Sequence, residues 1–298
     1  TFLKDLTQSV SYNNFGKFEY TNMEDKAAKY TGFTGDEVTA IPGFVNYSEG
    51  IYVGYKFYET AAAEGAIDYD SMVAFPFGYG LSYTTFEQKL NDVTYKDGKV
   101  TVDVTVTNTG DTAGKDVVEV YYNPPYTEGG IEKASTNLVG FEKTKELKPG
   151  ASETVTVEFD DDDMASYDYQ NAKAYVLEKG DYTISIQSDS HHVIDSEKIN
   201  VADTITYDSE SNTHNDDQTV ATNQFDYAAG DVTYLSRANH FANYAEATAA
   251  PTNFSMSDEV KAAFTNNGNY DPTKYDDDSD EMPTTGAKNG LRLADMYG

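Results

Sequence analysis

Between Lys99 and Asn108 the chain reads KVTVDVTVTN, with valines at 100, 102, 104 and 106 and Thr101, Asp103, Thr105 and Thr107 between them. A two-residue period puts every valine on one face, the mark of a half-buried antiparallel strand. Asp97-Gly98, just before it, is a tight-hairpin signal. Further β runs follow: DVVEVYY (116–122), LVGFEK (138–143), ETVTVEF (153–159), KAYVLE (173–178), DYTISIQ (181–187) and DSEKINV (195–201). Turn-formers separate them: NTGDTAG, KPG at Lys148–Gly150 and KGD at Lys179–Asp181. Short strands at this spacing predict a β-sandwich of immunoglobulin or fibronectin type III shape over residues 89–202, within a mainly β chain.

The flanks are less regular. NMEDKAAKYTG (Asn22–Gly32) has a capping asparagine, acids in the first turn and a terminal glycine, which predicts a short helix. GIYVGYKFYETAAA (Gly50–Ala63) fits a strand or a helix, and periodicity leaves both open. Residues 203–223 are Thr, Ser, Asn and Asp with few large apolar side chains, which is linker chemistry. Aromatics then resume in YLSRANHFANY, and Ser257 stands as an N-cap ahead of DEVKAAF.

Charge narrows the partners. The chain has 51 acidic against 21 basic residues, a formal net charge of -30. Nucleic acid and anionic lipid are repelled by such a surface. Cysteine is absent, which removes disulfides and thiolate chemistry. No apolar stretch nears the ~18 residues of a membrane helix, and no basic-then-apolar leader opens the chain. The compartment stays open; the acidic, Asn/Thr/Tyr-rich make-up leans toward a bacterial extracytoplasmic or secreted setting. Thr1 at one end and LRLADMYG at the other make the chain read as an excerpt from a larger protein.

Candidate chemistry is sparse. DDDSDE (Asp276–Glu281) invites a calcium reading, but an EF-hand needs Gly at position six and Glu at position twelve. Those positions hold Glu281 and Ala287. DDDD (Asp160–Asp163) reads as a solvated charge run. His191-His192 read as surface histidines, with no HExxH or other zinc grouping. GFTGDE and FGYGLS lack the rest of a phosphate-binding motif, and no GxSxG elbow occurs. Neither a metal nor a cofactor is expected. Retaining glycosidases need two carboxylates about 5 Å apart, and among 51 acids the sequence selects no pair.

Two patches rich in rings and glycines precede the strands: YSEGIYVGYKFYET (Tyr47–Thr60) and VAFPFGYGLSYTTF (Val73–Phe86). Together they resemble the end of the α/β sandwich domain of glycoside hydrolase family 3, which includes β-glucosidases and β-xylosidases. VEVYYNPP, LVGFEKTKELKPGASETVTVEF, DMASYD and VLEKGDYTISIQSDS resemble that family's fibronectin type III-like domain. Order and spacing agree over about residues 47–190, with Lys56 standing where the family commonly has arginine.

The resemblance implies a retaining β-glycosidase of the β-glucosidase type, acting on terminal β-glucosyl residues of oligosaccharides. Its nucleophilic aspartate belongs to a TIM barrel and its acid/base glutamate usually to the α/β sandwich domain; the nucleophile's motif has no counterpart here and the acid/base region is expected well upstream of GYGLSYT, before Thr1, so no catalytic residue is carried over. The expected organisation is the end of an α/β sandwich domain at 1–88, the fibronectin-like domain at 89–202, and a connector at 203–298. EMPTTGAKNGLRLADMYG resembles the lead-in to the barrel in members of reversed domain order, so the connector should run toward a barrel. This chain would then supply scaffold and pack against both catalytic domains. Tyr47, Tyr52, Tyr55 and Phe77 either edge the sugar pocket or fill that domain interface. The other function considered is a non-catalytic carbohydrate-binding or cell-surface module.

Overall fold

The computed structural model describes residues 1–14, 16, 18–223 and 232–263. They belong to two compact units, Thr1–Phe18 with Gly43–Phe254, and Glu19–Pro42 with Ser255–Gly298. In chain order the elements begin with β1 (Phe2–Leu3), β2 (Ala28–Thr31), β3 (Glu37–Ala40), α1 (Tyr55–Ala63), α2 (Tyr69–Met72) and β4 (Val73–Phe75). Then come β5 (Phe86–Lys96), β6 (Lys99–Asn108), β7 (Val117–Asn123), β8 (Asn137–Lys143) and β9 (Ser152–Asp160). They are followed by β10 (Ser166–Asp168), β11 (Ala174–Leu177), β12 (Gly180–Gln187), β13 (Val193–Val201) and β14 (Ile205–Tyr207). Two helices, α3 (Tyr244–Ala247) and α4 (Asp258–Ala263), complete the list of described helices and strands.

The sandwich pairs sheet β5-β6-β9 with sheet β13-β12-β7-β8, all antiparallel. Asp97 and Gly98 both take positive φ, 53° and 80°, and close the β5–β6 hairpin in the way that dipeptide favours. The four valines of β6 meet Val155, Val157 and Phe159 of β9, Val118 and Val120 of β7, and Ile184 and Ile186 of β12 in one buried cluster. Each such side chain gains about 1.5–3 kcal/mol by leaving water. At Gly140 of β8 a Cβ would stand 2.7 Å from Val157 Cγ1, so glycine allows the two sheets to approach there. A third sheet, β10-β11-β14, closes one end; its β14 lies inside the stretch that composition alone reads as linker.

At the centre of the β13-β12-β7-β8 sheet, β7 and β12 bury side chains on both faces, while most of β13 and the end of β8 stay exposed. The sheet's second face carries Glu119, Tyr121, Ser185 and Gln187 and looks onto α1, whose Tyr55 ring meets Tyr121 edge-on at 6.3 Å. Here a second cluster forms from Val10, Tyr52, Phe57, Tyr58 and Ala61 with Leu235, Phe241 and Ala247. The open choice at residues 50–63 resolves as a helix from Tyr55 to Ala63 preceded by a turn, with Phe57, Tyr58 and Ala61 at helical spacing toward this cluster.

In the smaller unit the expected Asn22–Gly32 helix is replaced by a single 3-10 turn, Glu24–Lys26, and the hairpin β2–β3. Tyr30 and Thr31 pair with Val38 and Glu37, and Gly35, at φ 85°, turns the chain between them. Cross-strand pairs of β-formers outweigh the local helix signal. Ser257 does cap α4, its hydroxyl accepting from Val260 N at 3.3 Å, and Lys261 reaches Asp25 at 3.2 Å.

Candidate functional site

The ring-rich patches lie on and beside α1. Tyr55 and Phe77 stack at 4.8 Å with an 18° tilt, and the Tyr55 hydroxyl oxygen accepts from Leu138 N at 2.9 Å. Ser190 N donates to Phe77 O at 2.8 Å, which ties the 75–83 loop to the β12–β13 turn. Gly78 sits at φ 84°, a conformation that favours glycine, and a Cβ there would stand 2.4 Å from Glu119 Oε2 and displace that carboxylate. Of the other two expected residues, Tyr47 is 69% exposed, whereas Tyr52 is 1% exposed and edge-on to Phe241 at 4.9 Å. The structure therefore brings Tyr55 and Phe77 together and keeps Tyr52 in the core. Phe75 at the end of β4 and Tyr79, Leu81 and Tyr83 on the loop after it add further exposed apolar surface.

The groups the sequence did not single out are the buried polar ones. Glu59 of α1, within the cluster side, accepts from Tyr69 Oη at 2.7 Å, Ser190 Oγ at 2.8 Å and His191 Nδ1 at 2.8 Å. The His191 ring lies flat on Tyr69 at 3.7 Å. His192 Nδ1 pairs with Asp189 at 2.8 Å. Both histidines are exposed, as expected of surface residues, and each is in addition fixed by a carboxylate. Glu132 accepts from Tyr52 Oη, Ser236 Oγ and Arg237 N, while Arg237 Nε donates to Glu64 at 2.6 Å and its guanidinium covers the Tyr126 ring at 4.0 Å. Burial pushes the Glu64 carboxyl up, but Arg237 and His240 outweigh it and hold it below the usual range. The only sequence signal for this hub is an arginine set among aromatics in YLSRANHF.

The acid run at Asp160–Asp163 is also more than a solvated face. Asp161 accepts from Tyr95 Oη at 2.6 Å and Asp162 from Asn215 N at 2.9 Å, joining the hairpin end of β5 to the segment after β14. Asp276–Glu281 lies outside the described residues. Among the described residues no group of three or more His, Asp or Glu side chains is placed to hold a metal, and no helix is long and apolar enough to cross a membrane.

Residues 116–190 match the family model of the fibronectin type III-like domain. The sandwich is a fibronectin type III-like domain. Around this domain the chain is similar to β-glucosidases. It is 44% identical over 147 residues to a β-glucosidase of Ruminococcus albus, covering 48% of this chain and 14% of that protein. It is 39% identical over 153 residues to a β-glucosidase of Kluyveromyces marxianus, covering 51% and 17%. A crystal structure of a β-glucosidase from Paenibacillus barengoltzii superposes with a TM-score of 0.54 at 31% identity, over 70% of this chain and 21% of that one. The resemblance to glycoside hydrolase family 3 read from the ring-rich patches and the sandwich motifs is borne out by these relatives. The chain spans about a fifth or less of the length of these three relatives.

Proposed function

We propose that the chain is part of a retaining β-glucosidase hydrolysing terminal β-glucosyl residues of oligosaccharides, and that it contributes scaffold and inter-domain packing. The observation that carries this reading is the 44% identity over 147 residues to a β-glucosidase. The internal carboxylates support a structural role, because Glu59, Glu132, Asp168 and Asp189 each spend their oxygens on donors within the fold. In this reading residues 1–88 are the end of an α/β sandwich domain, 89–202 the fibronectin-like domain, and 203–298 a connector toward a barrel that carries the nucleophilic aspartate. Tyr47, Tyr55 and Phe77 offer ring surface to a neighbouring domain or to the rim of a sugar pocket, and Tyr52 fixes the turn between them. The surface at Phe75, Tyr79, Leu81 and Tyr83 is suited to the same packing.

Assaying the 298-residue chain and its full-length parent side by side on an aryl β-glucoside tests the reading. The parent should turn over with retention of anomeric configuration and the isolated chain should stay at background. Hydrolysis by the chain alone, lost on mutating one of its own acids, would place the catalytic groups here; an inactive parent would remove the hydrolase reading.

A further inference from the structure

Lys56, the second residue of α1, is only partly exposed, yet among the described residues no hydrogen bond or ion pair reaches its ammonium. Other sheltered cations are paired: Lys133 with Glu178, and Arg237 with Glu64. The acid one helical turn along, Glu59, spends its oxygens on Tyr69, Ser190 and His191 instead. Thr60, four residues on, donates to Lys56 O at 2.6 Å and accepts from Ser135 N at 2.9 Å. Burial pushes the Lys56 ammonium down from the usual lysine range, and no carboxylate draws it back. The first turn of a helix is also where the aligned peptide dipoles disfavour a cation. A charge sheltered from water is costly unless it is matched. The chain has 51 acidic residues, so the gap at Lys56 is one of position and not of supply.

The ammonium is within reach of a partner, because its nitrogen is not among the side-chain atoms closed off from solvent. Three exposed apolar side chains, Tyr47, Ile51 and Val53, stand on the segment that leads into α1. A free small anion would use the lysine alone, whereas a folded surface uses both the cation and the apolar side chains around it. A second copy of the chain is a poor match, since a net charge of -30 on each repels the other. In a parent as long as the β-glucosidases described above, most of the protein lies outside these residues. We propose that Lys56, Tyr47, Ile51 and Val53 form a docking surface for a neighbouring domain of the parent, and that this domain brings a carboxylate to Lys56. Such a domain exists if the chain is part of a larger β-glucosidase, the reading on which this docking surface rests.

Lys56→Met, placed in the 298-residue chain and in the full-length parent, provides the test. In the isolated chain the substitution removes an unmatched charge and should raise the melting temperature by about 1 °C or more. In the parent it should leave a carboxylate unpaired and lower the melting temperature by several degrees, and Lys56→Arg should avoid that loss. Amide exchange over residues 47–56 should be slower by about tenfold or more in the parent than in the chain, and Lys56→Met should remove most of that protection. Equal exchange in the two, or a melting temperature that shifts the same way in both, would overturn the proposal. So would stabilisation of the isolated chain by sodium acetate that Lys56→Met abolishes, because a free anion would then be the partner. Turnover is a separate readout: a parent that protects residues 47–56 but cleaves no aryl β-glucoside keeps the docking surface and loses the hydrolase reading.

Discussion

The two faces of the β13-β12-β7-β8 sheet are covered by differently built cores. On the sandwich side, Val102, Val118, Ile184 and their neighbours come from one run of strands, with no ionised side chain among them. On the α1 side, residues as distant as Val10, Phe57 and Phe241 meet, and the cluster is bordered by Glu59, Glu64, Glu132 and Arg237. Hydrophobic burial is non-directional and its loss is graded. A buried charge has no graded alternative, because removing its partner leaves the other ion uncompensated. The sandwich core should therefore tolerate substitution, and the α1 side should fail abruptly at single polar residues.

Arg237→Ala is the strongest way to break that contrast. The side chain is 11% exposed, and it holds Glu64, itself 13% exposed, together with Lys133 O. Loss of one partner from such a pair costs about 3–5 kcal/mol. Chemical denaturation should show a loss of that size. Hydrogen exchange should speed up first in α1 and residues 235–247, while β6 and β12 stay protected. Uniform loss of protection across both regions would mean that the two cores open as one unit.

On the sandwich side the matching probe is Asp168, the last residue of β10, whose carboxylate caps the turn to β11. Its carboxylate accepts from Gln170 N at 3.1 Å and from Asn171 N and Ala172 N at 3.0 Å each. Burial pushes this carboxyl up, yet the three backbone amides outweigh it and hold it below the usual range. A carboxyl whose folded pKa lies below its unfolded value of about 3.9 stabilises above that value, and the contribution is lost as pH falls through the folded pKa. Asp168→Asn should cost about 1–3 kcal/mol near neutral pH. Denaturation midpoints of the two forms should converge below about pH 4. A pH-independent gap would assign the effect to shape rather than to charge.

These contrasts also explain what the sequence could reveal. The valine period of β6 and the Asp97-Gly98 turn specify their hairpin locally, so that part of the sandwich is legible from a dozen residues. The helix expected at Asn22–Gly32 is not found, because its cap signal competes with pairing to Val38 and Thr39, which no local pattern shows. Tyr55 and Phe77 are visible as ring-rich candidates, but their stacking depends on a loop that returns to the helix. The Glu132–Arg237 hub joins residues about a hundred positions apart, and Glu64–Arg237 joins residues still further apart. Periodicity carries no information at that range.

The smallest effect is expected where the two regions meet, at Glu119 of β7. Its carboxylate accepts from Tyr121 Oη at 2.7 Å and lies against Gly78. Burial pushes the Glu119 carboxyl up, the Tyr121 hydrogen bond pulls it down, and Asp189 and Asp116 push it up again; the net direction is up. The sign is therefore opposite to that of Asp168. A carboxyl with a raised folded pKa favours the proton on folding, so its charge costs stability above that pKa, and the cost disappears as pH falls. Glu119→Gln keeps the shape and an acceptor for Tyr121 while removing the charge. Because the carboxyl is only half-buried, solvent screening should hold the gain at neutral pH to a few tenths of a kcal/mol. That corresponds to a melting temperature higher by about 1 °C, with the gain fading on acidification. A lower melting temperature would show that the ionised Glu119–Tyr121 bond is worth more than its desolvation costs, and this face of the sheet would then depend on charge as the Arg237 hub does.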